Sequence, residues 1–235
     1  MTLLIGTVSN TNIVITADGL SRTHPLTGGE VQSTTFKKIF PLGGMPVAIA
    51  HHGYNILDSH PINEFLEKFI MQVETSRTTL GVYEIALELQ RFTHAAARAI
   101  FSNPTNTGVI GFWAAGILNK TQAPVLYEIC WPNQPDPEQR KIIVFGGDGK
   151  EFIRHHIAEL EQAPPKCREI ENYTIDDSLD LHTKLYAEAE RKQNEEQKHI
   201  FGGHQHQLVI QTGGCRWTKA PRCQGLTSKQ CQRIF

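Results

Sequence analysis

The sequence contains no long hydrophobic run and no large excess of charge of either sign. No segment approaches the roughly 18 consecutive apolar residues that a membrane-spanning helix requires, and the N-terminus lacks the basic and apolar regions of a signal peptide. The formal net charge is -1, so the sequence lacks the strongly basic character typical of proteins that bind nucleic acid or anionic membranes. We therefore expect a cytoplasmic protein that binds neither nucleic acid nor membranes.

Cysteine is also scarce and irregularly spaced. The chain has five cysteines in 235 residues, Cys130, Cys167, Cys215, Cys223 and Cys231. An odd number without a tight C-x-x-C spacing is not typical of a disulfide framework or a zinc site. His204 and His206 alternate along a predicted strand and would share a face, a spacing that metals can use, but a structural role is the preferred interpretation for these histidines and cysteines. We expect no metal and no cofactor.

The hydrophobic residues, 40% of the chain, are enough for one sizeable core and follow a clear order of strand and helix patterns. Strands are predicted at 2–8, 13–17, 34–42, 45–53, 109–118, 124–131, 141–147 and 206–212. Helices are predicted from Ile56 to Val73 and at 82–101, 151–163 and 179–193. A Pro-rich turn is predicted between 131 and 141.

This order predicts the fold class. Two pairs of helices interleaved with about eight strands suggest an α+β protein built as a four-layer αββα sandwich, with two antiparallel sheets face to face and a helix pair on each outer side. A dinucleotide-binding fold is not indicated, because strict alternation of strand and helix is missing and the glycines of FGGDGKEF are too few and too late in the chain.

Several segments, taken in order, resemble the proteasome β-subunit family. These are TLLIGTVSNTNIVITADGLSR at the start, TTFKKIF, AHHG, GFWAAGIL followed by VLYEI, GGDG, and the final FGG-x-x-x-x-LVI. The resemblance implies an N-terminal nucleophile hydrolase fold, as in the bacterial proteasome-type peptidases. It covers residues 2 to about 212 with one insertion at 24–30. It therefore implies a domain at 1–212 and a basic, cysteine-containing tail at 213–235.

In this family the nucleophile is the hydroxyl of a threonine that becomes the first residue of the mature chain. The resemblance assigns that role to Thr2, which the removal of Met1 alone would expose. The free α-amine then takes the hydroxyl proton, since its ordinary pKa of about 7.7–8.0 leaves it partly neutral at physiological pH. The backbone N–H of Gly53, or of His52 one residue earlier, matches the family's oxyanion hole.

The resemblance also assigns a charged pair to the site. Asp18 matches the aspartate that orients the catalytic lysine, and Lys38 matches that lysine. Strand alternation places Lys37 and Lys38 on opposite faces, so only one can point inward. A buried ammonium needs a carboxylate partner, which Asp18 supplies, and its positive charge would lower the pKa of the Thr2 hydroxyl and amine. The alternative interpretation is a solvated surface pair.

Three positions depart from the family pattern. Asp148 stands where a serine is usual, and Lys198 and Phe201 replace an aspartate and a serine that help to hold the N-terminal amine. Two outcomes follow. In one, Asp148 takes over the role of the missing aspartate; in the other, Lys198 pairs with Asp148 and the amine is left without support.

The function implied by the resemblance is a threonine-type endopeptidase that cleaves peptides or unfolded proteins inside a homo-oligomeric ring. An ATPase or another gating protein would be its partner. An inactive, ring-forming scaffold is the alternative that the three departures suggest. A hydrolase of small amides is a third hypothesis, because related N-terminal nucleophile enzymes perform that chemistry.

Overall fold

The computed structural model describes residues 2–22, 31–76, 80–117, 123–154, 156, 158 and 169–221. Five strands form the first sheet, namely β1 (Leu4–Val8), β2 (Ile13–Ala17), β12 (Ile142–Gly146), β13 (His206–Gln211) and β14 (Gly214–Lys219). Their order in space is β12-β1-β2-β13-β14. All neighbouring strands are antiparallel. The first hairpin, β1 and β2, is thus at the centre of the sheet, which explains why both strands are apolar and buried throughout.

A second five-stranded sheet is also antiparallel. Its strands are β5 (Ile39–Pro41), β6 (Val47–Gly53), β9 (Ile110–Gly116), β10 (Val125–Trp131) and β11 (Gln134–Arg140), in the order β11-β10-β9-β6-β5. Two small ribbons complete the described strands, one of β3 (Ser21–Arg22) with β4 (Val31–Ser33) and one of β7 (Ile56–Leu57) with β8 (His60–Pro61).

The described helices are α1 (Ile62–Thr75), α2 (Val82–Phe101), a 3₁₀ helix (Asp148–Ile153) and α3 (Ile175–Glu195). Helix α3 begins with a capping box, in which the Thr174 hydroxyl accepts from the Asp177 N–H and the Asp177 carboxylate accepts from the Thr174 N–H. In the described ranges, no helix has the length and apolar character needed to cross a membrane.

Three hydrophobic clusters show how these elements are layered. The inner faces of the two sheets share one cluster, which includes Leu4 from β1, Trp113 from β9 and Leu208 from β13. Helices α1 and α2 cover the outer face of the second sheet. Helix α3 and the 3₁₀ helix cover the outer face of the first sheet, where they meet Leu3 and Ile5. The molecule is therefore a mixed α+β protein with two packed antiparallel sheets and helices outside them, in keeping with the sequence prediction at that level.

Several boundaries differ from the sequence prediction; the strand predicted at 34–42 is shortened to Ile39–Pro41, for example, and the helix predicted at 179–193 runs from Ile175 to Glu195. Residues 134–140 form the strand β11 instead of a Pro-rich turn, because β11 pairs only with β10 and an edge strand tolerates prolines that cannot donate. Helix α1 begins at Ile62, not Ile56, since Pro61 stands at its N-cap and the preceding residues form the β7–β8 ribbon.

Residues 214–219, which the sequence analysis places in the tail, form β14 and extend the first sheet. The predicted helix at 151–163 is described only in part, and it starts as the 3₁₀ helix. The proposed insertion at 24–30 and the cysteines 167, 223 and 231 lie outside the described residues.

Candidate functional site

Asp18 and Lys38 form an ion pair in the interior of the protein. Asp18 follows the last residue of β2, and Lys38 immediately precedes β5. The Lys38 Nζ atom donates to Asp18 Oδ1 at 2.7 Å, and both side chains are fully buried. Lys38 also donates to the carbonyl of Leu20 at 2.9 Å. The inward lysine is thus Lys38, whereas Lys37 is half-buried and has its ammonium 4.8 Å from the centre of the Phe40 ring.

The Asp18 carboxylate accepts three backbone hydrogen bonds in addition to the one from Lys38. Its Oδ1 atom accepts from the Leu3 N–H at 2.9 Å. Its Oδ2 atom accepts from the N–H groups of Leu20 at 3.1 Å and Gly202 at 3.2 Å. Four bonds use the acceptor capacity of an ionised carboxylate. Burial lowers the pKa of Lys38, and the charge and hydrogen bond of Asp18 oppose that shift.

Thr2 precedes Leu3, whose N–H binds Asp18, and Thr2 is fully buried. Its hydroxyl has no hydrogen-bond partner among the described residues, which is unusual for a buried polar group. Its carbonyl accepts from the Gly149 N–H at 2.9 Å. At Gly147, where φ is 79°, an added Cβ would lie 2.2 Å from the Thr2 carbonyl oxygen, so this turn requires glycine. Thr2 is therefore held between the end of β2 and the turn that follows β12.

Gly53, the last residue of β6, has a φ of 91°. A Cβ there would lie 1.9 Å from the Val109 carbonyl oxygen, so no other residue fits without a shift of the backbone. The adjacent His52 side chain is buried and faces the opposite side of the strand from His51. The Gly53 or His52 N–H remains the predicted oxyanion donor.

The three departures from the family pattern lie in different environments. Asp148 is exposed at the start of the 3₁₀ helix. Lys198 donates to Glu196 at 2.7 Å, and both side chains are exposed. In the structure, Lys198 therefore pairs with Glu196, and no ion pair with Asp148 is present among the described residues.

Phe201 is buried in the core between α3 and the first sheet, where its ring contacts Phe152 and Tyr186. Its backbone is held by both ends of the Gln193 side-chain amide. The next residue, Gly202, supplies one of the N–H groups on Asp18. The backbone of this segment thus donates a hydrogen bond to Asp18, while the Phe201 side chain packs in the hydrophobic core.

The sequence analysis assigned no carboxylate to His52, and the structure places one beside it. The His52 Nε2 atom is 3.9 Å from Glu128 Oε1. Glu128 accepts from Trp113 Nε1 at 3.0 Å and from Arg140 Nε at 2.8 Å. Burial opposes the ionisation of Glu128, but His52, Trp113 and Arg140 together lower its pKa to about 2. The sequence signal that could have indicated this site was Glu128, an acidic residue within the largely apolar strand VLYEICW.

The remaining histidines and cysteines do not form a metal site in the described ranges. The rings of His204 and His206 have centroids 5.5 Å apart, and burial lowers the pKa of His206 to about 3. Burial raises the pKa of Cys215 to about 12, and its thiol faces the carbonyl of Val47. No group of three or more potential metal ligands occurs among the residues that the structure describes.

Comparison with known proteins finds no protein-family model that matches this chain and no curated protein with significant similarity to it.

Proposed function

We propose that the protein is a threonine-type peptidase with an N-terminal nucleophile hydrolase fold, related to the proteasome β-subunits. The observation that carries the proposal is the buried Asp18–Lys38 pair, whose carboxylate also binds the N–H of the residue next to Thr2. An isolated buried ion pair is costly to desolvate and is a common feature of functional sites. A buried threonine hydroxyl without a partner beside it is consistent with a nucleophile.

In the proposed mechanism, Met1 is removed and the α-amine of Thr2 becomes free. The amine accepts the hydroxyl proton, directly or through water, and the Thr2 Oγ1 atom attacks the carbonyl carbon of a peptide bond. The positive charge of Lys38 stabilises the oxyanion form of the hydroxyl, and Asp18 holds Lys38 in place. A backbone N–H at Gly53 or His52 stabilises the negative charge on the tetrahedral intermediate. The amine then protonates the leaving amine as the C–N bond breaks, which leaves an ester on Thr2 Oγ1, and a water molecule hydrolyses this ester to release the acyl product and restore the hydroxyl.

The resemblance implies a homo-oligomeric ring, and two exposed apolar residues, one in β7 and one in α1, are compatible with it. The core-facing stripe of α1 is complete with Ile62, Phe65, Leu66, Phe69 and Val73. Ile56 and Met71 are nevertheless 57% and 65% exposed. Single exposed apolar side chains also occur on monomers, whereas a contiguous apolar patch is typical of a contact with another subunit, so the mass of the assembly is the deciding measurement. Light scattering at micromolar concentration is expected to give a mass of many subunits, and a monomer would rule out the ring.

The inactive scaffold is the second candidate, and the environment of Phe201 and Lys198 favours it. Neither side chain can supply a carboxylate or hydroxyl to the amine of Thr2, because phenylalanine and lysine have neither group; Phe201 is buried in the core and Lys198 pairs with Glu196. A scaffold would still form the ring but would not hydrolyse peptides. A hydrolase of small amides would act on those amides and leave peptides intact.

Two measurements test these proposals together. Mass spectrometry of the purified protein should show a chain that begins at Thr2, because a chain that retains Met1 has no free threonine amine. Fluorogenic peptides and small amides should then be assayed with the wild type and with Thr2→Ala and Thr2→Ser. Peptide hydrolysis that is lost in Thr2→Ala and partly retained in Thr2→Ser supports the peptidase. Activity that survives in Thr2→Ala contradicts it.

A further inference from the structure

A cleft of about 680 Å³ opens between the β10–β11 hairpin and the 3₁₀ helix. This volume is in the range of sites for small ligands. Gly147, whose turn packs against Thr2, is part of its wall, and Asp148 and Lys150 line it as exposed side chains. One wall of the cleft is therefore the Gly147 turn that packs against Thr2, the proposed nucleophile. Thr2 itself does not line the cleft.

Two buried polar side chains, His52 and Glu128, line this cleft. They are 4% and 9% exposed, respectively. Within the described part of the chain, neither nitrogen of the His52 ring has a hydrogen-bond partner. The ring occupies space left by two glycines, since a Cβ on Gly111 would lie 2.0 Å from its Nε2 atom and a Cβ on Gly146 would lie 2.6 Å from its Cδ2 atom. A buried imidazole without partners in a cleft is costly unless a ligand or water completes it.

The chemistry of Glu128 limits what can bind beside it. As an ionised carboxylate it only accepts hydrogen bonds, and each of its oxygens holds one donor, which leaves acceptor capacity unused. Arg140 already pairs with Glu128, and Arg140 is in turn held by Glu138 at 3.0 Å and Gln134 at 2.9 Å. Because Arg140 is shared between Glu128 and Glu138, these groups keep a net negative charge that disfavours an anion, and a cation would compete with Arg140 for Glu128. An uncharged donor is therefore favoured.

The 3.9 Å separation between His52 Nε2 and Glu128 Oε1 is too long for a direct hydrogen bond. A primary carboxamide has a donor and an acceptor side by side. Its NH₂ group can donate to Glu128 while its carbonyl accepts from the imidazole N–H. Because both groups are almost fully buried, the end of a side chain reaches them more easily than a peptide backbone does.

We propose that this cleft is a binding site for a primary carboxamide side chain, that of glutamine or asparagine in a peptide, with Glu128 and His52 as the recognition groups. Its use as a subsite for a peptide substrate rests on the function proposed above. Binding of the carboxamide itself does not depend on that function.

Binding can be measured without catalysis through the indole N–H of Trp113, which donates to Glu128 and whose ring lies 6.4 Å from that of His52. The probes are the N-acetyl methylamides of glutamine, glutamate and alanine, and the readout is the Trp113 Nε1–H resonance, with the resonances of Trp131 and Trp217 as internal controls. We expect the glutamine probe to bind about tenfold or more tightly than the other two, because hydrogen bonds to a charged group contribute this much.

Substitutions of Glu128 and His52 test which group recognises the glutamine side chain. Glu128→Gln should reduce the preference for glutamine over glutamate to near one, since it removes the charge that repels glutamate. The matched control is Glu138→Gln, which alters the other carboxylate on Arg140 but does not line the cleft; it should keep the preference. If Glu128→Gln does not fold, His52→Leu replaces it, because leucine is close to histidine in volume and cannot donate, and binding of the glutamine probe should weaken about tenfold.

The inference is overturned if the wild type binds the three probes equally or if the Trp113 resonance does not respond to the glutamine probe. Peptides that differ only by glutamine or glutamate at one position provide the link to catalysis. A binding preference without hydrolysis of any peptide would contradict the proposed function and leave the carboxamide site intact. Hydrolysis without a binding preference would contradict only the site.

Discussion

The two sides of Thr2 differ in how completely their polar groups are satisfied. On the side of β2, Asp18 and Lys38 are fully buried and every hydrogen-bonding position of the carboxylate is occupied. On the side of the 3₁₀ helix, Asp148 is exposed and Lys198 pairs with a surface glutamate. A buried polar network has one stable arrangement because any missing partner is costly. The support for a nucleophile at Thr2 is therefore concentrated on the side of β2.

The largest effect is expected from Lys38→Ala. It removes the charge proposed to activate Thr2 and leaves Asp18 buried without its cation, so peptide hydrolysis should fall by about 10³-fold or more. The free energy of unfolding should decrease by about 3–5 kcal/mol. Peptide assays and urea unfolding measure the two quantities. Lys37→Ala is the matched control and should change stability by less than about 1 kcal/mol. Equal effects of the two substitutions would contradict the assignment of the inward lysine.

Proteins of the proteasome β-subunit family usually have a serine at the position of Phe201. The substitution Phe201→Ser tests whether that serine improves the support of the Thr2 amine on the side of the 3₁₀ helix. Because Phe201 is 2% exposed and contacts Phe152 and Tyr186, the substitution should cost about 3–5 kcal/mol of stability. We expect no gain in peptide hydrolysis. Met71→Ser, at a residue that is 65% exposed, should change stability by about 0.5 kcal/mol or less. A more active Phe201→Ser variant would show that this position still acts on the amine of Thr2.

Asp148→Asn tests whether Asp148 replaces the missing aspartate in the processed chain. In that role it must reach the Thr2 nitrogen directly or through one water, and its loss should lower peptide hydrolysis by roughly 10²-fold. Stability should remain within about 0.5 kcal/mol because the side chain is exposed. Asp136→Asn, on the exposed side of β11, is the control. Unchanged hydrolysis in Asp148→Asn would mean that the support comes from the Asp18 side alone.

Lowering the pH should decrease the free energy of unfolding, because buried histidines on the side of β2 stay neutral in the native protein. Burial is the main cause that lowers the pKa of His51 and His206 from 6.5 to about 3. The unfolded chain therefore binds protons at a higher pH than the native chain, and the stabilisation present above pH 6.5 is lost as the pH falls toward 3. Each histidine should contribute a loss of about 2 kcal/mol between pH 7 and pH 5.

Urea unfolding at several pH values measures this slope. His206→Gln should make it shallower, whereas His60→Gln, at an exposed position, should not change it. An identical slope in the wild type and in His206→Gln would contradict the assignment of His206 as a neutral buried side chain.

The sequence alone determined the elements whose patterns are local. A short run of apolar and β-branched residues predicted β2, and the three-to-four spacing predicted α2 with the bounds that the structure has. The resemblance to the proteasome β-subunits paired Asp18 with Lys38 before the fold was known, and strand alternation added only that one of Lys37 and Lys38 can point inward. The strand β11 was missed because its prolines and charges are typical of a turn, and only its edge position permits them.

Tertiary structure decided the contacts between distant segments. Glu128 meets His52 because β6 and β10 both pair with β9, a neighbourhood that no short-range pattern encodes. Lys198 pairs with Glu196, the residue that directly follows α3, and this contact follows from where the helix ends. Periodicity reports which face of an element is apolar, whereas the neighbours of a polar side chain depend on strand order and on the ends of helices. The sequence therefore determined the layers and the inward pair, and the fold decided which groups surround them.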